Sequence, residues 1–389
     1  MLYVDGVALV TRMRGFGTTV FAEMSALAER TGSINLGQGF PDQDGPAEVL
    51  EAAVDAIRSG ANQYPPGPGV EDLRQAVAEH QKRFYGVDCD PDGEVLVTAG
   101  ATEAITAAVL ALCEPGSEVV VFEPFYDSYA AAIALAGAQR RAVPLQPPDW
   151  SLDPGRLRAA VSPRTRMVIL NSPHNPTGKV FSVEELDAVA EVCRERDLVA
   201  VTDEVYEHLV FDGQHVPLAT REGMAERTLT VSSAAKTFSV TGWKVGWVTG
   251  PAGLVGAVRT VKQFLTYVNG APFQPAVAAG LRLPDSFFAS TAWSLRERRD
   301  QLCAGLVAAG FAVHVPAGTY FVMADTGPLG YLDGAALARE MPERCGVVAV
   351  PAAAFYSDPS APTPLLRFTF CKQNAVLDEA VRRLQRLRR

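Results

Sequence analysis

No two cysteines in this 389-residue chain stand at C-x-x-C spacing, and no H-E-x-x-H occurs. The six cysteines, Cys89, Cys113, Cys193, Cys303, Cys345 and Cys371, are scattered, most of them in apolar, helix-like surroundings. That pattern reads as core thiols of a reduced, cytoplasmic protein rather than a disulfide framework. The five histidines are dispersed along the chain, so no metal site is expected. Positive charge is in the minority: 35 Lys and Arg against 44 Asp and Glu leave a net charge of −9. An acidic chain without a long basic block argues against a nucleic acid as partner. The one basic cluster, Arg382-Arg383 to Arg388-Arg389, suits the solvated end of a last helix, where cations complement the dipole. No apolar run approaches a bilayer crossing; Ala130–Ala138 is short and alanine-rich, like a packed helix. The start, Met-Leu-Tyr-Val-Asp-Gly, lacks the basic and apolar regions of a secretory signal. No membrane association is expected.

What is present is ordinary globular composition, 48% hydrophobic and 20% charged, over a length that suits two lobes. Short apolar runs, Glu118–Phe122, Arg166–Leu170, Leu198–Thr202 and Thr228–Val231, read as buried strands. Between them lie helical patterns at Thr102–Leu112, Asp127–Ala136 and Val183–Arg194. Such alternation predicts an α/β fold with a mostly parallel sheet covered on both faces. Past about residue 280 a long helical pattern, Ala292–Ala309, precedes strands at Thr319–Ala324 and Leu366–Phe370 and a closing helix from about Ala375. We read that as a smaller α+β lobe. The expected division is a large domain at 46–280 and a small domain made of 1–45 with 281–389.

Open parallel sheets bind ligands in the loops beyond the carboxyl ends of their strands. Four such loops carry chemistry here. Arg166–Leu170 is followed by Asn171-Ser-Pro-His-Asn175-Pro-Thr-Gly178, and Leu198–Thr202 by Asp203-Glu-Val-Tyr206. Thr228–Val231 is followed by Ser232-Ser233-Ala-Ala-Lys236 and then Thr241-Gly-Trp-Lys244-Val-Gly246, and Leu366-Arg367-Phe368 stands late in the chain. Each has a plainer reading alone: a helix cap, a reverse turn, a surface lysine, a strand-edge salt bridge. Their joint order at strand ends leaves those readings little room. The glycines Gly37-x-Gly39 and Gly67-x-Gly69 lack the strand–turn–helix context of a dinucleotide fingerprint and read as turns, the first also allowing a substrate close to the backbone.

In this order the motifs resemble the class I/II, fold-type I aminotransferases that depend on pyridoxal 5'-phosphate. The resemblance runs from about Phe16 to the C-terminal helix. Leu36–Asp42 (LGQGFPD), Asn62–Gly69 (NQYPPGPG), Glu123–Tyr129 (EPFYDSY) and Ala271–Ala278 (APFQPAVA) resemble the branch with kynurenine, glutamine and methionine aminotransferases. The whole chain resembles in particular actinobacterial N-succinyldiaminopimelate aminotransferases. Residues 1 to about 11 fall outside it, a candidate disordered extension.

The resemblance implies roles for matching positions. Lys236 would hold the cofactor aldehyde as a Schiff base and, once freed, move a proton from the substrate α-carbon. Asp203 would keep the pyridine nitrogen protonated; Tyr206 and Asn175 would hydrogen-bond the ring's phenolic oxygen. Gly100-Ala101-Thr102, opening a helix, would bind the phosphate with Ser233 and Lys244, and Tyr64 would reach it from a partner subunit. Lys244 stands where many relatives carry arginine, and gives a point charge instead of a fork. Tyr126 would stack on the ring, where tryptophan is common. Arg367 would grip the substrate α-carboxylate, helped by Asn175 and the backbone at Gly39. The implied partners are an amino-acid donor, a 2-oxo acid acceptor and a second copy of the chain in a homodimer with shared sites. The implied donor is N-succinyl-L,L-2,6-diaminopimelate with 2-oxoglutarate, in lysine biosynthesis. A broad kynurenine, glutamine or methionine aminotransferase and a C–S β-lyase are the alternatives, since the same lysine, aspartate and arginine serve all three. With only about fifteen residues ahead of the match, a DNA-binding regulator on this fold is not expected. Phe16, Phe21, Tyr267 and Phe355 are candidate pocket aromatics, each equally suited to the core.

Overall fold

The computed structural model of the chain describes residues 3–4 and 7–388. Seven strands form the main sheet: β1 (Val95–Thr98), β2 (Glu118–Glu123), β3 (Gln139–Pro144), β4 (Thr165–Asn171), β5 (Val199–Asp203), β6 (Thr228–Ser233) and β7 (Gly246–Thr249). Their spatial order is β1-β7-β6-β5-β4-β2-β3. Every neighbouring pair is parallel except those of β7, which runs antiparallel to both β1 and β6. β6 is buried at all six positions and β4 at all but Arg166, which explains why both read as unbroken apolar runs. β1, β3 and β7 did not stand out in the sequence. β3 alternates exposed Gln139 and Arg141 with partly buried Arg140 and Ala142, and β7 and β1 are four residues long.

Helices cover both faces, among them α1 (Glu71–Tyr85), α2 (Gly100–Leu112), α3 (Asp127–Leu135) and α4 (Val183–Glu195). The start of α4 follows from a capping box: Ser182 Oγ accepts from Glu185 N–H at 3.3 Å, and Glu185 accepts from Ser182 N–H at 2.9 Å. α2 is alanine-rich, and Ala104, Ala107 and Ala108 are fully buried, so the helix lies close to the sheet.

A second, antiparallel sheet has the order β8-β9-β11-β10, from β8 (Ala312–His314), β9 (Phe321–Asp325), β10 (Val350–Pro351) and β11 (Leu365–Thr369). It packs with the long helix α5 (Asp285–Ala309) and the closing helix α6 (Asn374–Leu384) around Leu302, Leu306, Phe311, Phe368 and Leu377. α5 starts seven residues before the expected Ala292, because Pro284 supplies an extended N-cap and Phe288 is already buried. Ile34–Asn35 pairs in parallel with Val347–Val348, which ties the N-terminal segment to the C-terminal third. The extension expected to be disordered is in part a short hairpin, Tyr3–Val4 against Val7–Ala8, followed by a turn of helix at Thr11–Met13; residues 1, 2, 5 and 6 lie outside the described residues. The six cysteines are unpaired, five of them buried. Among the described residues no helix is long and apolar enough to cross a membrane.

Candidate active site

Three parallel strands deliver their last residues to one place. Asn171 ends β4 beside Asp203 at the end of β5, and Ser233 ends β6. A cavity of about 330 Å³ opens there. It is lined by Gly39, Gly100, Ala101, Thr102, Tyr126, Asn175, Asp203, Tyr206, Ser233, Lys236, Lys244 and Arg367. These are all of the nominated residues except Tyr64.

At one end sits Asp203, 5% exposed. Its carboxylate accepts from Tyr129 Oη–H at 2.5 Å and from Val205 N–H at 3.4 Å. Burial nonetheless pushes its pKa up to about 6, because two donors and a nearby ammonium offset only part of the lost hydration. Asn171 steadies the same strand end. Its Nδ2–H donates to Asp203 O at 2.7 Å and its Oδ1 accepts from Asn175 N–H at 2.7 Å, so one amide joins two site loops.

Lys236 follows β6 on the short helical turn Ala234–Thr237. Burial brings its pKa down to about 8, against the pull of Cys371 and Asp203. Its Nζ lies 5.9 Å from the Tyr206 ring and 5.7 Å from the Tyr320 ring. Tyr206 is buried against Tyr320, with ring centroids 5.3 Å apart and nearly perpendicular, and burial raises its pKa. Tyr126 stands edge-on to Tyr129 and is pushed up to about 12 by burial.

At the opposite end, α2 begins at Gly100 with φ +76. A side chain there would meet Lys244 Nζ at 3.2 Å, and one on Gly246 would strike the Gly100 backbone at 2.8 Å. The two glycines thus let β7, α2 and the Lys244 amine converge. Lys244 itself adopts a left-handed conformation, φ +53, at the turn into β7. Together these groups offer a cationic and backbone-amide end, a carboxylate end and an amine between them. The polarity of that arrangement fits pyridoxal 5'-phosphate.

Arg367 comes from β11 of the second sheet and is 2% exposed. Nη1–H donates to Asn175 Oδ1 and Nη2–H to Gly37 O, both at 2.9 Å, while its buried Nε–H has no partner among the described residues. The guanidinium lies 3.9 Å from the Phe321 ring centroid, with Phe355 and Phe21 at 4.8 and 5.1 Å. Burial lowers its pKa to about 10, and it stays charged. Gly39 packs on Phe321 so closely that a Cβ would come within 2.4 Å of that ring. Tyr320 Oη–H donates to Gly39 O at 2.6 Å and sets the carbonyl's direction.

Tyr64 lies elsewhere. It is 82% exposed, edge-on to Tyr267 at 5.6 Å, on a surface hollow formed with Val268–Pro272. Of the candidate pocket aromatics, Phe21 lines the cavity and Phe355 packs behind it at 5.8 Å. Phe16 joins the core under the sheet and Tyr267 stands outside with Tyr64. Sequence reasoning assigned nothing to Tyr129, Asn171, Tyr320 or Phe321. Tyr129 stood in the quoted EPFYDSY and Asn171 opened the quoted NSPHNPTG; only the fold reveals what they touch.

The histidines are not dispersed in space. His80, His208 and His215 gather with Glu204 and Glu207 behind β5. Strand and helix periodicity gave no sign of this, because His80 sits on α1 and the others on the loop after β5. Burial pushes His80 down to about 3 and His208 down as well, so both rings are neutral. Burial also pulls His215 down, but Glu204 outweighs it and leaves its pKa raised.

The model of the family described as aminotransferase class I and II matches residues 31–384. A probable N-succinyldiaminopimelate aminotransferase of Mycobacterium tuberculosis is 58% identical over 387 residues, covering 96% of this chain and 97% of the relative. A methionine aminotransferase of Escherichia coli is 39% identical over 378 residues, covering 97% and 98%. The solved N-succinyldiaminopimelate aminotransferase of Mycobacterium tuberculosis superposes with a TM-score of 0.96 at 59% identity, covering 98% of this chain and all of that one. The chain belongs to the class I and II aminotransferases, enzymes that use pyridoxal 5'-phosphate to move an amino group from an amino acid to a 2-oxo acid.

Proposed function

We propose that the cavity transfers the amino group of N-succinyl-L,L-2,6-diaminopimelate to 2-oxoglutarate, a step of lysine biosynthesis. One observation carries the chemistry: a carboxylate at the end of β5, an amine on the turn after β6 and a guanidinium within β11 face one cavity. The 58% identity over nearly the whole chain supports the donor.

When bound, pyridoxal 5'-phosphate supplies the electron sink that lets the substrate's Cα–H bond break. Lys236 would hold it covalently and, once freed, would take the α-proton. With its pKa near 8, a useful fraction of the amine is free at neutral pH. Asp203 would keep a proton on the pyridine nitrogen, and a charge partner there would draw the carboxylate to its ionised form. Tyr206 and Asn175 hydrogen-bond the phenolic oxygen. The amides of Gly100, Ala101 and Thr102, with Ser233 and Lys244, would hold the phosphate, and Tyr126 would cover the ring. Arg367, helped by Asn175 and Gly39, receives the α-carboxylate; its unpartnered Nε–H leaves a donor for it. A carboxylate fixed there orients Cα–H rather than Cα–COO⁻ for cleavage.

We further propose a homodimer in which Tyr64 completes the neighbour's phosphate site, since so exposed an aromatic pair needs a cover. The 46–280 and 1–45 with 281–389 division remains our reading of the domains, supported by the Ile34–Asn35 pairing with Val347–Val348.

The test is a donor panel with 2-oxoglutarate. N-succinyl-L,L-2,6-diaminopimelate should give the highest kcat/KM. If methionine or kynurenine exceeds it, the donor assignment fails and the broad-specificity reading replaces it. Sulfur-containing donors run without a 2-oxo acid expose a β-lyase by steady release of pyruvate. Sedimentation at assay concentration tests the dimer, which an active monomer would refute.

A further inference from the structure

The loop after β5 faces two ways. Asp203 and Tyr206 line the cavity, whereas Glu207 and His208 turn toward α1. His208 Nε2 meets His80 Nε2 at 2.6 Å, and a carboxylate oxygen of Glu207 completes a set of three donors within 4.8 Å of one another. Glu207 is 5% exposed. Its Oε1 accepts from Ser232 Oγ–H at 2.5 Å, but its Oε2 has no hydrogen-bond partner among the described residues. Phe288 stacks on His208 at 4.3 Å and Phe84 on His80 at 4.8 Å, so the cluster has apolar walls.

We propose that His80, Glu207 and His208 bind one divalent transition-metal ion of the zinc type, which clamps helix α1 to the loop that carries Asp203 and Tyr206. Two imidazole nitrogens and one carboxylate oxygen are the mixed donor set that zinc and its neighbours accept, while calcium and magnesium call for oxygen alone. Without an ion, two facing Nε2 atoms share a single proton, and the Glu207 carboxylate has beyond Ser232 only the Tyr85 hydroxyl beside it. An ion uses all three atoms at once. It requires the two nitrogens to part, since bonds of 2.0–2.1 Å at a tetrahedral angle place ligands roughly 3.3 Å apart. Rotation of two imidazoles on separate elements supplies that. Glu207 gives the donor set its one carboxylate, and Glu204 next to it is taken up by His215 Nε2 at 2.7 Å.

The experiment uses untagged holoenzyme, stripped with a chelator and then dialysed against zinc chloride. We expect one zinc per chain, a rise of the unfolding midpoint with zinc, and unchanged cofactor content. His80→Gln and Glu207→Gln should each weaken zinc binding by at least about tenfold and abolish the midpoint rise. No retained zinc in the wild type overturns the proposal. Equal retention by both variants does so too, because the ion then sits elsewhere. If the variants do not fold, zinc-edge X-ray absorption on the wild type decides. A first shell with two imidazoles supports the site, and one with sulfur or oxygen only refutes it.

Discussion

Two polar clusters share the six residues Asp203–His208, and they differ in what they face. The front cluster, with Asp203, Tyr206, Lys236 and Arg367, borders a cavity of about 330 Å³. The rear cluster, with Glu204, Glu207, His208 and His215, is packed against α1 and aromatic rings. Both are dehydrated, and in both burial pushes a carboxylate upward, Asp203 to about 6 and Glu207 to about 7. A shifted carboxylate therefore does not by itself mark the reacting centre. The front cluster alone combines buried charge with empty space and an arginine nitrogen left without a partner.

Substitutions can break that contrast, and their effects should fall in order. Lys236→Ala should be the most severe. Loss of a positioned proton carrier costs on the order of 10²–10⁴ in turnover, read as 2-oxo acid formed per enzyme, with cofactor still bound but more loosely. Turnover within tenfold of wild type would remove Lys236 from the reaction. Arg367→Ala comes next. Losing a charged fork of about 1.5–3 kcal/mol should raise donor KM roughly 10- to 100-fold, with the cofactor absorbance of the resting enzyme unchanged. A normal KM with lost absorbance would mean that the arginine serves the fold instead.

Tyr129→Phe should be milder and carries a sign. The Tyr129 hydroxyl stabilises the ionised Asp203, so its removal lifts the Asp203 pKa further. The acid limb of kcat should move to higher pH, with turnover near neutrality down roughly tenfold. An unmoved limb would detach Asp203 from turnover. Glu207→Gln, in chelator-treated enzyme, should be the mildest, with turnover within about threefold and stability changed by about 1 kcal/mol. The Glu207 pKa is raised in the fold, so its ionisation opposes folding. Wild type should thus lose stability relative to the Gln variant as pH rises from about 4.5 through about 7. Thermal melts of both proteins across that range measure it. A larger turnover loss in Glu207→Gln than in Tyr129→Phe would erase the distinction between front and rear.

The front cluster was legible because its residues fall at ends of strands that read plainly. β4, β5 and β6 are buried on both sides, and the polar residues that follow them stand out against that background. Tyr129 and Asn171 escaped notice because their partner, Asp203, is distant in the chain. A tyrosine buried on an alanine-rich helix looks the same whether or not its hydroxyl meets a carboxylate. The rear cluster was invisible for a related reason: His80 and His208 are separated by 128 positions, and their meeting depends on how α1 lies against the loop. Strand β3, with Arg140 and Arg141 at an outer edge of the sheet, carried too little apolar pattern to be read at all.

Arg367 reaches the cavity from β11, while Asp203 ends β5 of the first sheet and Lys236 and Gly100 stand on the helical segments that follow its strands β6 and β1. On the proposed roles, grip on the acid and activation of the carbon lie on separate stretches of the gene. Mutational drift around β9, β11 and the Gly37–Gly39 segment can change which acids are welcomed while the proton-handling residues stay as they are. Lineages descending from such a chain can diversify their diets before they ever touch their chemistry.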